Sequence, residues 1–211
     1  MTGPAAVALG LTALAAAADW LAVARSQRAL EYVAKPAVMV GLIVVALTLR
    51  PGSTTERAFF VVALTLGLIS DVFLMLPQDL FLPGLVAALV EHIAYIGGFR
   101  TRPFNSGLLI AGETVALIAV GLFLPRIYRS LKERQPALVW PVIFYVVVFV
   151  VMVGTAGGTG SLVALAGALL FFFSDAVLAW NRFVKPLPGG RLANIVPYHA
   201  GQALLVLSLL S

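Results

Sequence analysis

Long apolar stretches alternate with short polar breaks along the whole of this 211-residue chain. A helix that crosses a bilayer needs about 20 mostly apolar residues. Eight segments meet that requirement, over roughly 4–24, 33–49, 58–76, 82–99, 107–125, 137–153, 161–180 and 192–210. The breaks carry helix-stopping residues, among them Pro51-Gly52-Ser53, Gly157-Gly158-Thr159-Gly160 and Pro188-Gly189-Gly190. Pro36, Pro83 and Pro136 fall near helix starts, where a missing N–H costs little. Pro141 and Pro197 sit in a first turn or mark a kink. Eight spans leave about 51 residues for seven loops and two tails, too few for an extramembrane domain. The pattern predicts an all-α, polytopic membrane helical bundle of eight transmembrane helices, forming one integral-membrane domain over 1–211.

Composition agrees. Hydrophobic residues make up 61% of the chain and charged residues 11%, against about 45–50% and about 25% in soluble domains. Too few charges remain to cover a water-facing surface, which excludes a soluble globular enzyme, and the apolar content excludes disorder. Cysteine is absent, so disulfides, thiolate metal sites and cysteine nucleophiles are excluded. The net charge of +5 does not point to nucleic acid, because the basic residues flank apolar stretches. The first 24 residues are apolar but lack a basic leader, so no cleaved signal peptide is expected. Ten basic residues fall on one side of the expected spans: Arg25, Arg28 and Lys35; Arg126, Arg129, Lys132 and Arg134; Arg182, Lys185 and Arg191. Arg50, Arg57, Arg100 and Arg102 fall on the other. The positive-inside rule then places both termini outside the cytoplasm.

The chain also reads as two similar halves. Ser70-Asp71-Val72-Phe73-Leu74 in span 3 and Ser174-Asp175-Ala176-Val177-Leu178 in span 7 share the pattern S-D-x-x-L, 104 residues apart. Each is followed by a span carrying a histidine, His92 or His199. Four spans separate the two motifs, so they run in the same direction, as in a parallel 4 + 4 pseudo-repeat. Each acid lies five residues before its expected span end, a common depth of roughly 7–8 Å from the cytoplasmic helix ends.

Ionisable side chains inside a bilayer are costly and mark function by default. Here they are Asp19, Asp71, Glu91, His92, Glu113, Asp175 and His199, with Tyr95, Tyr145, Asn194, Tyr198 and Gln202 as uncharged partners. Asp71 and Asp175 are the leading catalytic candidates: two carboxyls in a low-dielectric site divide into an acid that donates a proton and a base that accepts one. The alternative is a pair of helix-packing hydrogen bonds. His92 and Tyr95 share a helix face, as do His199 and Gln202. The stripe Asn194, Tyr198, Gln202 fits either a polar headgroup or interhelical hydrogen bonds. Glu91 is expected to pair with another helix or a basic loop, Asp19 beside Trp20 to be interfacial, and Glu113 to line the same cavity as the aspartates. Tyr128, Trp140 and Trp180 read as interfacial anchors. Lys35 and Arg182 lie where a phosphate would be met, and Lys185 reads as a flanking charge. No zinc-binding helix motif, G-x-S-x-G elbow or Walker A loop is present, so no metal or cofactor is expected.

Several pieces together resemble the YhhN family, whose known members include animal lysoplasmalogenases. They are Lys35-Pro36; Gly67 through Met75; His92-Ile93-Ala94-Tyr95; Gly167 through Ala179, continuing into Asn181-Arg182-Phe183; and Tyr198 with Gln202. Glu91 is a departure, since the family usually has a small residue before the histidine. The resemblance implies an eight-span membrane hydrolase that cleaves the vinyl ether bond of a lysoplasmalogen, or a related lysophospholipid, to a fatty aldehyde and a glycerophospho-headgroup. Asp71 and Asp175 then correspond to the catalytic pair. Lys35, His92, Tyr95, Asn181, Arg182, Tyr198, His199 and Gln202 form the expected substrate-binding set, with Lys35 and Arg182 on the phosphate. The expected partners are the lysophospholipid and the bilayer, and the expected location is a bacterial inner membrane. The rival reading is a proton-coupled transporter of lipids or small molecules using the same aspartates; a third is a non-catalytic membrane scaffold.

Overall fold

A computed structural model describes residues 1–210. Its helices are α1 (Gly3–Ala24), α2 (Arg28–Thr48), α3 (Thr54–Met75), α4 (Phe81–Phe99), α5 (Ser106–Arg134), α6 (Val139–Gly158), α7 (Leu162–Phe183) and α8 (Gly190–Leu207). All eight are long and apolar enough to cross a membrane. Their outer faces are oily: Val7, Leu11 and Leu14 on α1, and Leu117, Ile118 and Leu122 on α5, are exposed, as lipid contact demands. The protein is an integral membrane helical bundle.

Local chemistry sets the helix starts. Thr2, Ser53, Asn105 and Ser161 each accept a hydrogen bond from a backbone N–H three residues on, satisfying a donor that the first turn leaves free. Three helices outrun their apolar windows by five residues or more. α6 runs to Gly158 rather than ending near 153, so Gly157 and Gly158 lie in its last turn and not in a break. α2 begins at Arg28 rather than near 33, which puts Lys35 inside the helix instead of in a loop. α5 continues to Arg134 rather than ending near 125. Its extension is amphipathic: Ile127 and Leu131 are buried one turn apart while Arg126, Arg129 and Lys132 face outward, so it is held by packing that hydropathy alone does not register.

Consecutive helices pair as antiparallel hairpins, α1 with α2, α3 with α4, α5 with α6 and α7 with α8. Between the halves, α6 packs on α4 and, four helices on, α2 packs on α8. That correspondence is what a 4 + 4 repeat requires. The halves differ at their first helices, since α5 also rests on α7 whereas α1 rests on α8. α7 and α8 approach closely at Gly167 and Gly201. A Cβ on Gly167 would lie 2.9 Å from Leu205 N, and one on Gly201 would lie 2.9 Å from Gly167 O. Small residues let membrane helices meet backbone to backbone in this way.

Opposite ends of the bundle are built differently. At one end Arg102 pairs with Glu56 at 2.7 Å and also bonds the Ser208 carbonyl, while Gly52 N donates to Leu209 O at 3.0 Å. At the other, basic end a cavity of about 280 Å³ opens among the helices.

Candidate active site

The cavity is mostly apolar, walled by side chains such as Phe123, Ile127, Val142 and Phe172 from α5, α6 and α7. Asp71 and Asp175 both open on it. Asp71 lies four residues before the end of α3 and Asp175 eight before the end of α7. The equal spacing from span ends read in the sequence is therefore absent. Helix packing, not matched end distance, brings the two acids to one chamber.

Their surroundings differ. Lys35 Nζ from α2 lies 2.9 Å from Asp71 Oδ1, and the Tyr198 hydroxyl from α8 donates to Asp71 Oδ2 at 2.9 Å. Asp71 thus faces an amine and a phenol, with its side chain 6% exposed. Asp175 receives the Tyr145 hydroxyl of α6 on Oδ2. Behind it, His92 Nε2 of α4 is 2.8 Å from the same Tyr145 oxygen. With the phenol donating to Asp175, the consistent tautomer has His92 Nε2–H donating to Tyr145. His92 itself is 3.9 Å from Asp175, too far for a direct hydrogen bond. Among the described residues no lysine or arginine pairs with Asp175. The two acids sit in related frames: each is bonded from the α2 or α6 position of its half and approached from α8 or α4.

A third carboxyl, Glu91, also reaches the wall and is 1% exposed. Gln202 Nε2 donates to Glu91 Oε1 at 2.6 Å, and Tyr95 OH donates to Gln202 Oε1 at 2.6 Å. Gly67 makes room for it, because a Cβ there would lie 2.6 Å from Glu91 Oε1.

The YhhN family profile matches residues 30–209, nearly the whole chain. This protein belongs to the YhhN family. Relatives include human lysoplasmalogenase TMEM86B, 37% identical over 150 residues that make up 70% of this chain and 62% of that protein. Mouse TMEM86B is 36% identical over 151 residues, with the same two shares. Bovine lysoplasmalogenase TMEM86A is 32% identical over 160 residues, 70% of this chain and 63% of that one. The chain spans less than two thirds of the length of these relatives. No solved structure matches it significantly.

In this YhhN chain Lys35, Asp71, Asp175, Asn181 and Tyr198, all in the expected site, line the cavity. His92, Tyr95 and Gln202 lie one layer behind the wall, His92 bonded to Tyr145 and Tyr95 to Gln202, which bonds Glu91. Asn181 Oδ1 accepts from Leu187 N at 2.9 Å, tying down the turn into α8. Arg182 is off the wall, paired with Asp79 at 2.9 Å and lying 4.1 Å over the Phe81 ring. His199 faces a different cluster: its Nδ1 accepts from Trp20 Nε1 at 3.1 Å and its Nε2 is 3.9 Å from Asp19. Asp19 is accordingly fully buried between α1 and α8, not interfacial. Glu113 is off the cavity too, seated against Gly154 of α6. Asn194, Tyr198 and Gln202 each make an interhelical hydrogen bond, Asn194 to Ser174 at 2.9 Å. Trp140 points outward, 76% exposed, as an anchor would. Tyr145 and Glu91 are polar candidates within the spans but stand outside the expected catalytic and substrate-binding sets. Their signal was present, since both are polar residues inside apolar spans, but their targets lie on other helices.

Proposed function

We propose that this protein is a membrane hydrolase that cleaves the vinyl ether of a lysoplasmalogen, or a related lysophospholipid, using Asp175 as the proton donor and Asp71 as the carboxylate. The single observation that carries the reading is the unequal pair of aspartates on one apolar cavity: one matched by Lys35, the other facing a phenol with no cation. The names of the relatives supply the substrate class. The charge asymmetry supports an orientation with both termini outside the cytoplasm, so that the cavity opens to the cytoplasm.

The chemistry follows from the arrangement. Protonated Asp175 gives its proton to the β-carbon of the vinyl ether, and the electron pair of the double bond forms the new C–H bond. The resulting oxocarbenium ion lies beside the Asp71 carboxylate, which favours it electrostatically. Water adds to the cation as Asp71 takes a water proton, leaving a hemiacetal. The hemiacetal collapses as Asp71 returns that proton to the glycerol oxygen and Asp175 takes the hydroxyl proton. Fatty aldehyde and glycerophospho-alcohol leave, and both acids regain their starting forms. Two-carboxylate glycosidases handle a similar cation with the same division of labour. Tyr145, oriented by His92, holds Asp175, and Tyr198 with Lys35 holds Asp71. The aliphatic chain lies along the apolar wall from α5 to α7.

The test is purified protein in detergent, incubated with a lysoplasmalogen in deuterated water and analysed by mass spectrometry. The expected product is an aldehyde with deuterium on the carbon next to the carbonyl. Absence of aldehyde, with substrate carried across a vesicle membrane instead, would favour the transporter.

A further inference from the structure

Three cations line the cavity: Lys35, Arg191 and Arg28. Lys35 is matched by Asp71. Arg191 Nη2 of α8 is held by both oxygens of Glu31, whose carboxylate is 10% exposed on α2. Arg28 is the remaining one, with no ion pair or hydrogen bond among the described residues. Arg28, Glu31 and Lys35 follow one another at i, i+3 and i+7, so they share a face of α2 that looks into the cavity. Seven residues place Arg28 about 10 Å along the axis from Lys35, toward the mouth. Arg182, where the sequence pattern placed the phosphate, is occupied by Asp79 and Phe81 and does not reach the wall.

We propose that Arg28, with Arg191 fixed beside it by Glu31, is the phosphate-binding residue at the cavity mouth, and that it selects lysolipids carrying a phosphate over neutral ones. The assignment rests on the lysolipid reading above and deepens it. Charge matching carries it. The one cavity-wall cation without a counter-ion meets the one negative charge of a lysophosphodiester, and planar guanidinium groups suit phosphate oxygens. The depth also fits. With the reacting ether at Asp71 and Asp175, the glycerol backbone and the arginine side chain span the two helical turns out to Arg28. Any amine on the headgroup then lies beyond the mouth, in water.

Binding, not turnover, tests it. Affinities are measured in detergent for ester-linked lysophosphatidylethanolamine, which has no vinyl ether, for 1-monoacylglycerol, and for the chain-free glycerophosphoethanolamine. The native protein is expected to bind lysophosphatidylethanolamine about tenfold more tightly than monoacylglycerol, and to bind the chain-free headgroup most weakly. Arg28→Gln loses that tenfold preference while its monoacylglycerol affinity stays unchanged, which also shows that the cavity is intact. Arg28→Lys, which keeps the charge, retains most of the preference. Three results overturn the proposal: an unchanged preference in Arg28→Gln, no preference in the native protein, or chain-free headgroup binding as tight as the lysolipid. A failure of the hydrolase reading shows up separately, as absent aldehyde release with these affinities intact.

Discussion

Asp71 and Asp175 share the S-D-x-x-L motif and open on one cavity, but their electrostatic partners differ. Asp71 has an ammonium at 2.9 Å. Asp175 has a tyrosine backed by a histidine ring packed against Phe149 and Phe171. A buried charge with its counter-ion is tolerated where an unmatched one is not. The proposed division into an ionised carboxylate and a protonated acid rests on these unequal neighbours. The same short motif is thus set in two different surroundings, and the neighbours on α2, α4, α6 and α8 make the difference.

The largest effect that breaks this comparison is on turnover. Asp175→Asn is expected to lower aldehyde release by about a thousandfold or more. Its thermal midpoint should hardly move, because an amide oxygen still accepts from Tyr145. Asp71→Asn is expected to lose activity to the same degree and stability as well, by about 3 kcal/mol, because it strands Lys35. Thermal unfolding in detergent reads the difference. Lys35→Met combined with Asp71→Asn should recover most of that stability and none of the activity. If both single variants are equally stable, the asymmetry has no energetic meaning.

A smaller effect is expected one layer out. Tyr145→Phe removes the bond to Asp175 and leaves His92 Nε2 without its acceptor. Aldehyde release is expected to fall by about ten- to a hundredfold, with substrate affinity retained. Initial rates over a range of substrate concentrations separate the two quantities. The smallest effect concerns the second histidine. Trp20→Phe removes the hydrogen bond to His199, and stability should drop by about 1 kcal/mol. Release should stay within about twofold of native, because that cluster lies between α1 and α8, off the cavity wall. A large loss of rate there would mean that the two histidines share a role.

Much of this was legible in the chain. Eight oily segments read directly as eight helices, because bilayer thickness fixes their length. Asp71 and Asp175 stood out because so few charges enter those segments. What could not be read were relations between helices. Asp19, beside Trp20 near a span end, looked interfacial, yet α1 leans on α8 and buries it against His199. Tyr145 gains its importance only because α6 lies against both α4 and α7. Arg28 and Lys35 read as loop charges because amphipathic helix ends escape an apolar window. The place of Glu91, beside a histidine in a span, is set by Gln202 and by the gap at Gly67.

In the proposed mechanism Asp175 supplies the proton in a hydrolysis carried out within the cavity. Aldehyde release from lysoplasmalogen by purified Asp175→Asn protein, compared with the native protein at equal folded amounts, tests it most directly. No aldehyde above background is expected from the variant, and clear release from the native protein. Release from Asp175→Asn at the native rate would contradict it.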